Sequence, residues 1–198
     1  MFYLRIKGGS VKIIFATNNK HKVQEINEIV KDSGIDFDLP PAEFDPIETG
    51  QTFEENSYIK AYEAAKLTGQ IALADDSGLC VEALNGAPGI HSARYAETQD
   101  LRIAKLLKEL DSVDNRKAKF VCCMTLVSPD GEILNKVIGE CYGEIVSESK
   151  GSHGFGYDPI FKPIGYKETL AELGEDVKNG ISHRGNALRA MLDFISNL

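Results

Sequence analysis

The sequence has no excess of basic residues, no zinc-type cysteine spacing, no membrane-length apolar run and no glycine-rich phosphate loop, and each absence removes a class of protein. Lys and Arg number 22 against 30 Asp and Glu, leaving a formal net charge of −8. That is the wrong sign for a protein that coats nucleic acid, which shows a basic face and a high pI; a local basic pocket remains compatible with it. The cysteines Cys80, Cys122, Cys123 and Cys141 form no C-x-x-C, and no Cys/His spacing resembles a zinc site. Cys122 and Cys123 adjoin within an apolar run, where they read as small buried hydrophobes rather than a disulfide framework, and the set fits a reducing, cytoplasmic compartment. No apolar stretch nears the roughly 20 residues that span a bilayer. Met1–Ser10 carries Arg5 and Lys7 but no signal-type apolar core or cleavage site. No internal repeat, low-complexity tract or clear interdomain linker interrupts the chain.

What is present is an ordinary globular composition, 42% hydrophobic and 26% charged over 198 residues, long enough to bury roughly 70% of the unfolded surface. Gly8-Gly9-Ser10 reads as a joint, so residues 1–10 are expected to be an N-terminal extension and 11–198 a single domain. The stretch that organises this domain is Ile71-Ala-Leu-Ala-Asp-Asp-Ser-Gly-Leu79. Its apolar half predicts a short buried strand, and Asp75-Asp76-Ser77-Gly78 reads as a turn. Adjacent carboxylates repel, so a site built on them needs a metal ion, a basic side chain or a raised pKa. The alternative is a solvated turn.

Other segments offer similar pairs of readings. Val11–Ala16 predicts a strand, followed by Thr17-Asn18-Asn19-Lys20-His21-Lys22 and a helix with Val23, Ile26 and Val30 on one face. Backbone N–H groups at such a strand-to-helix turn suit a phosphate; an Asn cap followed by surface lysines is the alternative. Thr52-Phe-Glu-Glu55 matches a capping box and predicts a helix to about Leu67 with Ile59, Tyr62 and Ala65 buried. Glu48 then lies just before a helix start, within reach of a metal, and Lys60 falls two turns inside, where a lone lysine usually faces solvent. Gln99–Leu110 reads as an amphipathic helix and Lys119–Val127 as the longest strand. Pro129-Asp130-Gly131 reads as a hairpin turn, with Glu132–Gly139 and Glu140–Val146 as further antiparallel strands. In Gly151-Ser-His-Gly-Phe-Gly-Tyr-Asp-Pro159 the glycines permit close backbone approach to a ligand. Phe155 and Tyr157 there offer stacking faces for a base or close the core, and Asp158 an acceptor. Lys167–Val177 reads as a short helix or turn. Lys178 follows, and Ser182 is expected to start a last helix burying Ala187, Leu188, Met191, Leu192 and Ile195. His183 and Arg184 fall in its first turn, where cations are disfavoured unless an anion is bound; a packed core histidine and a surface arginine are the plainer reading.

Taken together, Phe15-Ala-Thr-Asn-Asn-Lys-His-Lys22, Glu48-Thr-Gly-Gln-Thr-Phe-Glu-Glu-Asn56 through Lys60, Ala74-Asp-Asp-Ser-Gly78, and Gly154-Phe-Gly-Tyr-Asp-Pro-Ile160 with Ile181-Ser-His-Arg-Gly185 resemble the inosine triphosphate pyrophosphatases, the noncanonical purine nucleoside triphosphate pyrophosphatases. The resemblance spans residues 11–198 and is missing no motif position. It implies an α/β fold: an elongated mixed β-sheet flanked by helices, in two lobes with the active-site cleft between them. It implies Mg2+-dependent hydrolysis of ITP, dITP and XTP to the monophosphate and pyrophosphate, cleansing the nucleotide pool, in a cytoplasmic homodimer with no nucleic-acid or membrane partner. By the same resemblance Thr17, Asn19 and Lys22 contact the triphosphate, in a turn that also holds Asn18, Lys20 and His21. Glu48 and Asp76 are metal ligands with Asp75 beside them, and Asp76 is the catalytic proton acceptor. Lys60 binds phosphate and Ser77 the substrate. Phe155, Gly156, Tyr157 and Asp158 form the base-side loop, and Lys178, His183 and Arg184 meet the base and its 6-oxo group. A nucleotide-binding sensor without turnover is the alternative.

Overall fold

The computed structural model describes residues 11–31 and 33–197; the expected extension at residues 1–10 lies outside them. Eleven helices and strands are used below: β1 (Val11–Phe15), α1 (Lys20–Val30), β2 (Ile35–Asp38), α2 (Phe53–Thr68), β3 (Ala72–Val81), α3 (Gln99–Glu109), β4 (Lys117–Val127), β5 (Ile133–Ile145), β6 (Phe161–Pro163), α4 (Glu175–Ile181) and α5 (His183–Ile195). The strands form one mixed sheet in the order β2-β1-β3-β4-β5-β6. β1 pairs in parallel with both β2 and β3, and β5 pairs antiparallel with β6, which is the mixed α/β architecture expected.

The chain folds into two compact units. One gathers the chain up to Asp76 with Cys123–Ile138 and Gly185–Leu198, and the other Ser77–Cys122 with Gly139–Arg184. Each has its own core. In the first, Ala61, Ala64 and Ala65 of α2 meet Ile14, Ala16, Ala72, Ala74 and Val127. Small side chains on that helix face let its backbone lie close on the sheet, and a larger one there would overpack it by roughly 1–3 kcal/mol. Ile59 and Tyr62, expected to be buried, are only half-buried; the alanines won the interior face. In the second unit Leu79, Val81, Leu106, Leu110, Phe120 and Phe161 are the centre of the core, each contributing roughly 1.5–3 kcal/mol by leaving water.

Two local expectations are corrected. Asp75–Gly78 is not a turn: β3 runs through it to Val81. Gly78 makes this possible, since a Cβ there would fall 2.2 Å from Gly89 O and 2.7 Å from Ser92 Oγ. The two antiparallel strands read over 132–146 are one continuous strand, β5; Gly139 sits inside it in extended conformation with no turn residues beside it to end the pairing. Lys167–Val177, read as a short helix or turn, is a turn first, with Glu172 N donating to Thr169 O at 3.0 Å, and helical only from Glu175, where α4 begins. The hairpin holds: Ser128 N donates to Glu132 O and Gly131 N to Ser128 O, both at 3.0 Å, and Gly131 takes φ +92°. All four cysteines are free thiols.

Candidate active site

The strand-to-helix turn after β1 is tied down by its own side chains. Asn19 Oδ1 accepts from His21 N at 3.0 Å and Lys22 N at 3.4 Å, capping α1. Thr17 Oγ1 accepts from Asn19 N at 3.1 Å, and Asn18 Nδ2 donates to Phe44 O at 2.7 Å. Two of the amides expected to face a phosphate are therefore taken by the cap. What the turn offers instead is a charge: Lys22 Nζ reaches Asp75 Oδ1 at 2.9 Å. Lys20 and His21 are exposed on the first turn of the helix.

The two carboxylates of β3 go separate ways. Side chains alternate along a strand, so Asp76 points with Ala72 and Ala74 toward α2, while Asp75 points away from it. Asp75 is 1% exposed and Asp76 7%, which rules out the solvated turn. Charges this deep need partners, and each carboxylate has its own. Asp76 Oδ1 meets Lys60 Nζ at 3.1 Å, and the same ammonium meets Glu48 Oε1 at 2.8 Å. Asp76 Oδ2 accepts from Asn56 Nδ2 at 3.3 Å, and Asn56 Oδ1 accepts from Gly50 N at 2.9 Å. Lys60 is thus no solvated helical lysine. The expected metal carboxylates divide: Glu48 and Asp76 converge on one cation, whereas Asp75 takes Lys22. Thr52 Oγ1 accepts from Glu55 N at 3.1 Å, while Glu55 Oε2 accepts from Gln51 N at 2.6 Å. This start of α2 fixes the rotation that carries Asn56 and Lys60 to the sheet.

Burial pushes the Asp76 carboxyl above its ordinary value; Lys60 and Lys22 pull it back in part, and Glu48 adds to the rise. Burial alone would push the Lys60 ammonium down, but Asp76, Asp75 and Glu48 together outweigh it and hold it above the usual lysine value. The pair therefore stands as a charged lysine beside an unusually basic carboxylate.

The second unit carries another group of charged and aromatic side chains. Lys178 Nζ donates to Asp158 Oδ2 at 2.7 Å, and Phe155 N donates to the same oxygen at 2.9 Å. The Phe155 ring lies 4.9 Å from Lys178 Nζ and 5.8 Å from Arg184 Cζ. Arg184 Nη2 donates to Ser77 Oγ at 3.3 Å. His183 stacks on Phe120 with ring centroids 4.8 Å apart and planes 12° apart. Both α5 residues are buried, so Arg184 is not the surface residue of the plainer reading, while His183 has the packed setting that reading gave it. Tyr157 is a correction. Its ring is 3% exposed in the core, and its hydroxyl donates to Ser92 O at 2.9 Å; burial pushes that phenol up to about 12. It braces the loop and has no open face on which to stack a base. Gly156 N donates to Gln99 Oε1 at 2.8 Å.

Sequence reasoning missed Asn56, which grips Asp76, and Gln99, which grips the loop. Asn56 had a signal, lying inside one of the quoted motif blocks. Gln99 had none.

Fold and side chains define a mixed α/β protein with buried lysines set against buried carboxylates around one strand. The Ham1 family model matches residues 13–194. A dITP/XTP pyrophosphatase of Nostoc sp. is 48% identical over 180 residues, covering 91% of this chain and 92% of the relative. One from Synechocystis sp. is 45% identical over 180 residues, covering 91% and 93%. Among solved structures, the Ham1 protein of Staphylococcus aureus superposes with TM-score 0.83 at 40% identity, over 94% of this chain and 98% of that one, and a HAM1 protein from Coxiella burnetii with 0.83 at 41%, over 95% and 100%. The chain belongs to the Ham1 family.

Proposed function

We propose that this protein hydrolyses noncanonical purine nucleoside triphosphates, ITP, dITP and XTP, to the monophosphate and pyrophosphate. The observation that carries the reading is the convergence of Glu48 Oε1 and Asp76 Oδ1 on Lys60 Nζ, at 2.8 and 3.1 Å, beside the Lys22–Asp75 pair at 2.9 Å. The substrates named for its relatives support the choice of nucleotide.

Lys22 and Lys60 are the groups that bind the polyphosphate. A triphosphate carries about four negative charges, and a carboxylate approaches it only when cations neutralise them. Among the described residues no three acidic, His or Cys side chains form a ready-made metal cage. Mg2+ does not need one: it is commonly held by one or two carboxylates with water and substrate phosphates. The hard oxygens of Glu48 and Asp76, already gathered on one cation, fit that ion, and Asp75 is the neighbouring carboxylate. When bound, Mg2+ supplies charge neutralisation and polarises the phosphoryl oxygens.

Asp76 orients a water and takes its proton as the water oxygen bonds to phosphorus at the α–β anhydride. The bridging P–O bond breaks, pyrophosphate leaves with the bond electrons, and a monophosphate remains. Burial raises Asp76 above the ordinary carboxylate value, which makes it a stronger base. Asn56 holds its other oxygen still. The purine lies against Phe155, with Lys178, His183 and Arg184 supplying polar contacts and Asp158 fixing Lys178. A donor aimed at O6 suits hypoxanthine and xanthine and opposes the adenine amine, at roughly 1–3 kcal/mol. The free thiols fit the cytoplasmic setting expected from the sequence, and a homodimer belongs to the same reading.

The test is a panel of purine triphosphates with Mg2+, reading monophosphate and pyrophosphate by chromatography. ITP, dITP and XTP are expected to turn over well ahead of ATP and GTP. Binding of ITP with no pyrophosphate released would replace the enzyme by a nucleotide sensor.

A further inference from the structure

The backbone of the loop around Phe155 is held at two successive amides. Phe155 N donates to Asp158 Oδ2 at 2.9 Å, a contact inside the loop. Gly156 N donates to Gln99 Oε1 at 2.8 Å, 57 positions away in sequence. Because a peptide N–H only donates, the Gln99 atom facing it is the carbonyl oxygen and not the NH2 group. No side-chain packing at Gly156 fixes its N–H, since Gly156 has φ +65° and no atom lies within 4 Å of where its Cβ would be; the other end of the same peptide, Phe155 O, accepts from Asp158 N at a long 3.3 Å. Gln99, by contrast, is well seated. It opens α3 directly after the cap Thr98, whose Oγ1 accepts from Leu101 N at 3.3 Å, and Ile103 and Leu106 bury the helix in the core. On the other side of Gly156, Tyr157 ties the loop to Ser92 O. The Phe155 ring, 4.9 Å from Lys178 Nζ and 5.8 Å from Arg184 Cζ, hangs on the peptide that Gln99 holds.

We infer that Gln99 is a positioning residue for nucleobase recognition: its side-chain oxygen sets the Phe155–Gly156 peptide and, through it, the plane of the ring against which the purine lies. This rests on the function proposed above. Only an acceptor of the right length is required. Glutamate therefore substitutes for glutamine, and leucine, of similar size, does not. The phosphate-binding lysines are untouched by either change.

The experiment compares wild type, Gln99→Glu and Gln99→Leu by steady-state kinetics on ITP, by inhibition with inorganic tripolyphosphate, and by amide hydrogen exchange across residues 151–159. Loss of one such hydrogen bond is expected to raise KM about fivefold in Gln99→Leu, with kcat within about twofold, while Gln99→Glu stays near wild type. Tripolyphosphate, which has no base, is expected to inhibit all three alike, and exchange at Gly156 to speed up only in Gln99→Leu. A wild-type KM in Gln99→Leu, or equal damage from both substitutions, overturns the inference. If wild type releases no pyrophosphate from ITP, the proposed function falls. The positioning role is then judged by loop exchange and calorimetric ITP affinity, and unchanged values in Gln99→Leu would end it too.

Discussion

Replacing Lys60 with methionine keeps an unbranched side chain, one atom shorter, at a buried position of α2 and deletes its charge. The wild-type ammonium stands 2.8 Å from Glu48 Oε1 and 3.1 Å from Asp76 Oδ1, with side-chain exposures of only 11% for Lys60 and 10% for Asp76, so solvent does little to replace it. Removing one partner of a buried ion pair costs about 3–5 kcal/mol, because the other charge is stranded. For a chain of this size each kcal/mol moves the melting temperature by about 2–4 °C, so Lys60→Met is expected to melt about 6–20 °C below wild type near neutral pH. The pH dependence has a definite sign. In wild type, burial pushes Lys60 down but the carboxylates hold it above 10.5, so its contribution is complete below that value and is lost only as pH climbs through the higher folded one. In the variant, Asp76 loses the cation that restrained its rise from 3.8. The folded chain then binds more protons than the unfolded chain above that value, and stability falls as pH increases across the interval. The deficit is therefore smaller near pH 5 than near pH 7.5, and millimolar Mg2+ is expected to narrow it further by binding the folded form. Circular-dichroism melts at both pH values, with and without Mg2+, measure this. A deficit below about 1 kcal/mol, or one equal at both pH values, refutes the electrostatic account of Lys60.

Two further outcomes follow from the same geometry. Hydrolysis needs ionised Asp76, so kcat/KM is expected to fall with decreasing pH along a limb above 3.8, the ordinary value from which burial lifts it, and Asp76→Asn is expected to lose turnover while calorimetry still detects ITP binding; a limb at or below 3.8, or an active variant, removes Asp76 as the base. Gly154→Ala places a Cβ 2.1 Å from Asp158 Oδ2 and 3.0 Å from Lys178 Nζ at φ +73°, so it is expected to lose more than about 1 kcal/mol of stability and to raise KM for ITP, and unchanged melting and KM would contradict the packing described.

The sequence disclosed the site's residues better than their surroundings. Lys60 read as a surface lysine because helical lysines usually are. The contrary signal lies in Ala61 and Ala64, which with Ala65 mark a helix face pressed on a sheet; of these the reading takes only Ala65, beside the larger Ile59 and Tyr62. Asp75 and Asp76 read as a turn because short polar residues next to glycine usually make one; Gly78 serves instead as the gap that admits Gly89 and Ser92 beside the strand. Tyr157 carries two readings, and its burial together with the bond of its hydroxyl to Ser92 O decides for the core. Gln99 was illegible in principle. Its partner is a backbone amide 57 residues away, and a peptide N–H leaves no trace in a side-chain pattern.

The alternation of β3 explains why neighbouring residues take different tasks. Asp75 turns to Lys22, Asp76 turns with Ala72 and Ala74 to Lys60 and Asn56, and Ser77 meets Arg184. Two like charges that would repel as a pair on one face are separated by the strand's own geometry, and each is neutralised by a lysine from a different helix. The arrangement tolerates changes of side chain better than changes of register. Deleting one residue from Ala72–Ala74 would exchange the faces of Asp75 and Asp76 and displace both along the strand, whereas exchanging Asp for Asn at position 76 keeps the face and costs one acceptor, leaving a single oxygen for Lys60 and Asn56. The site therefore depends first on which way β3 faces and only then on what it carries.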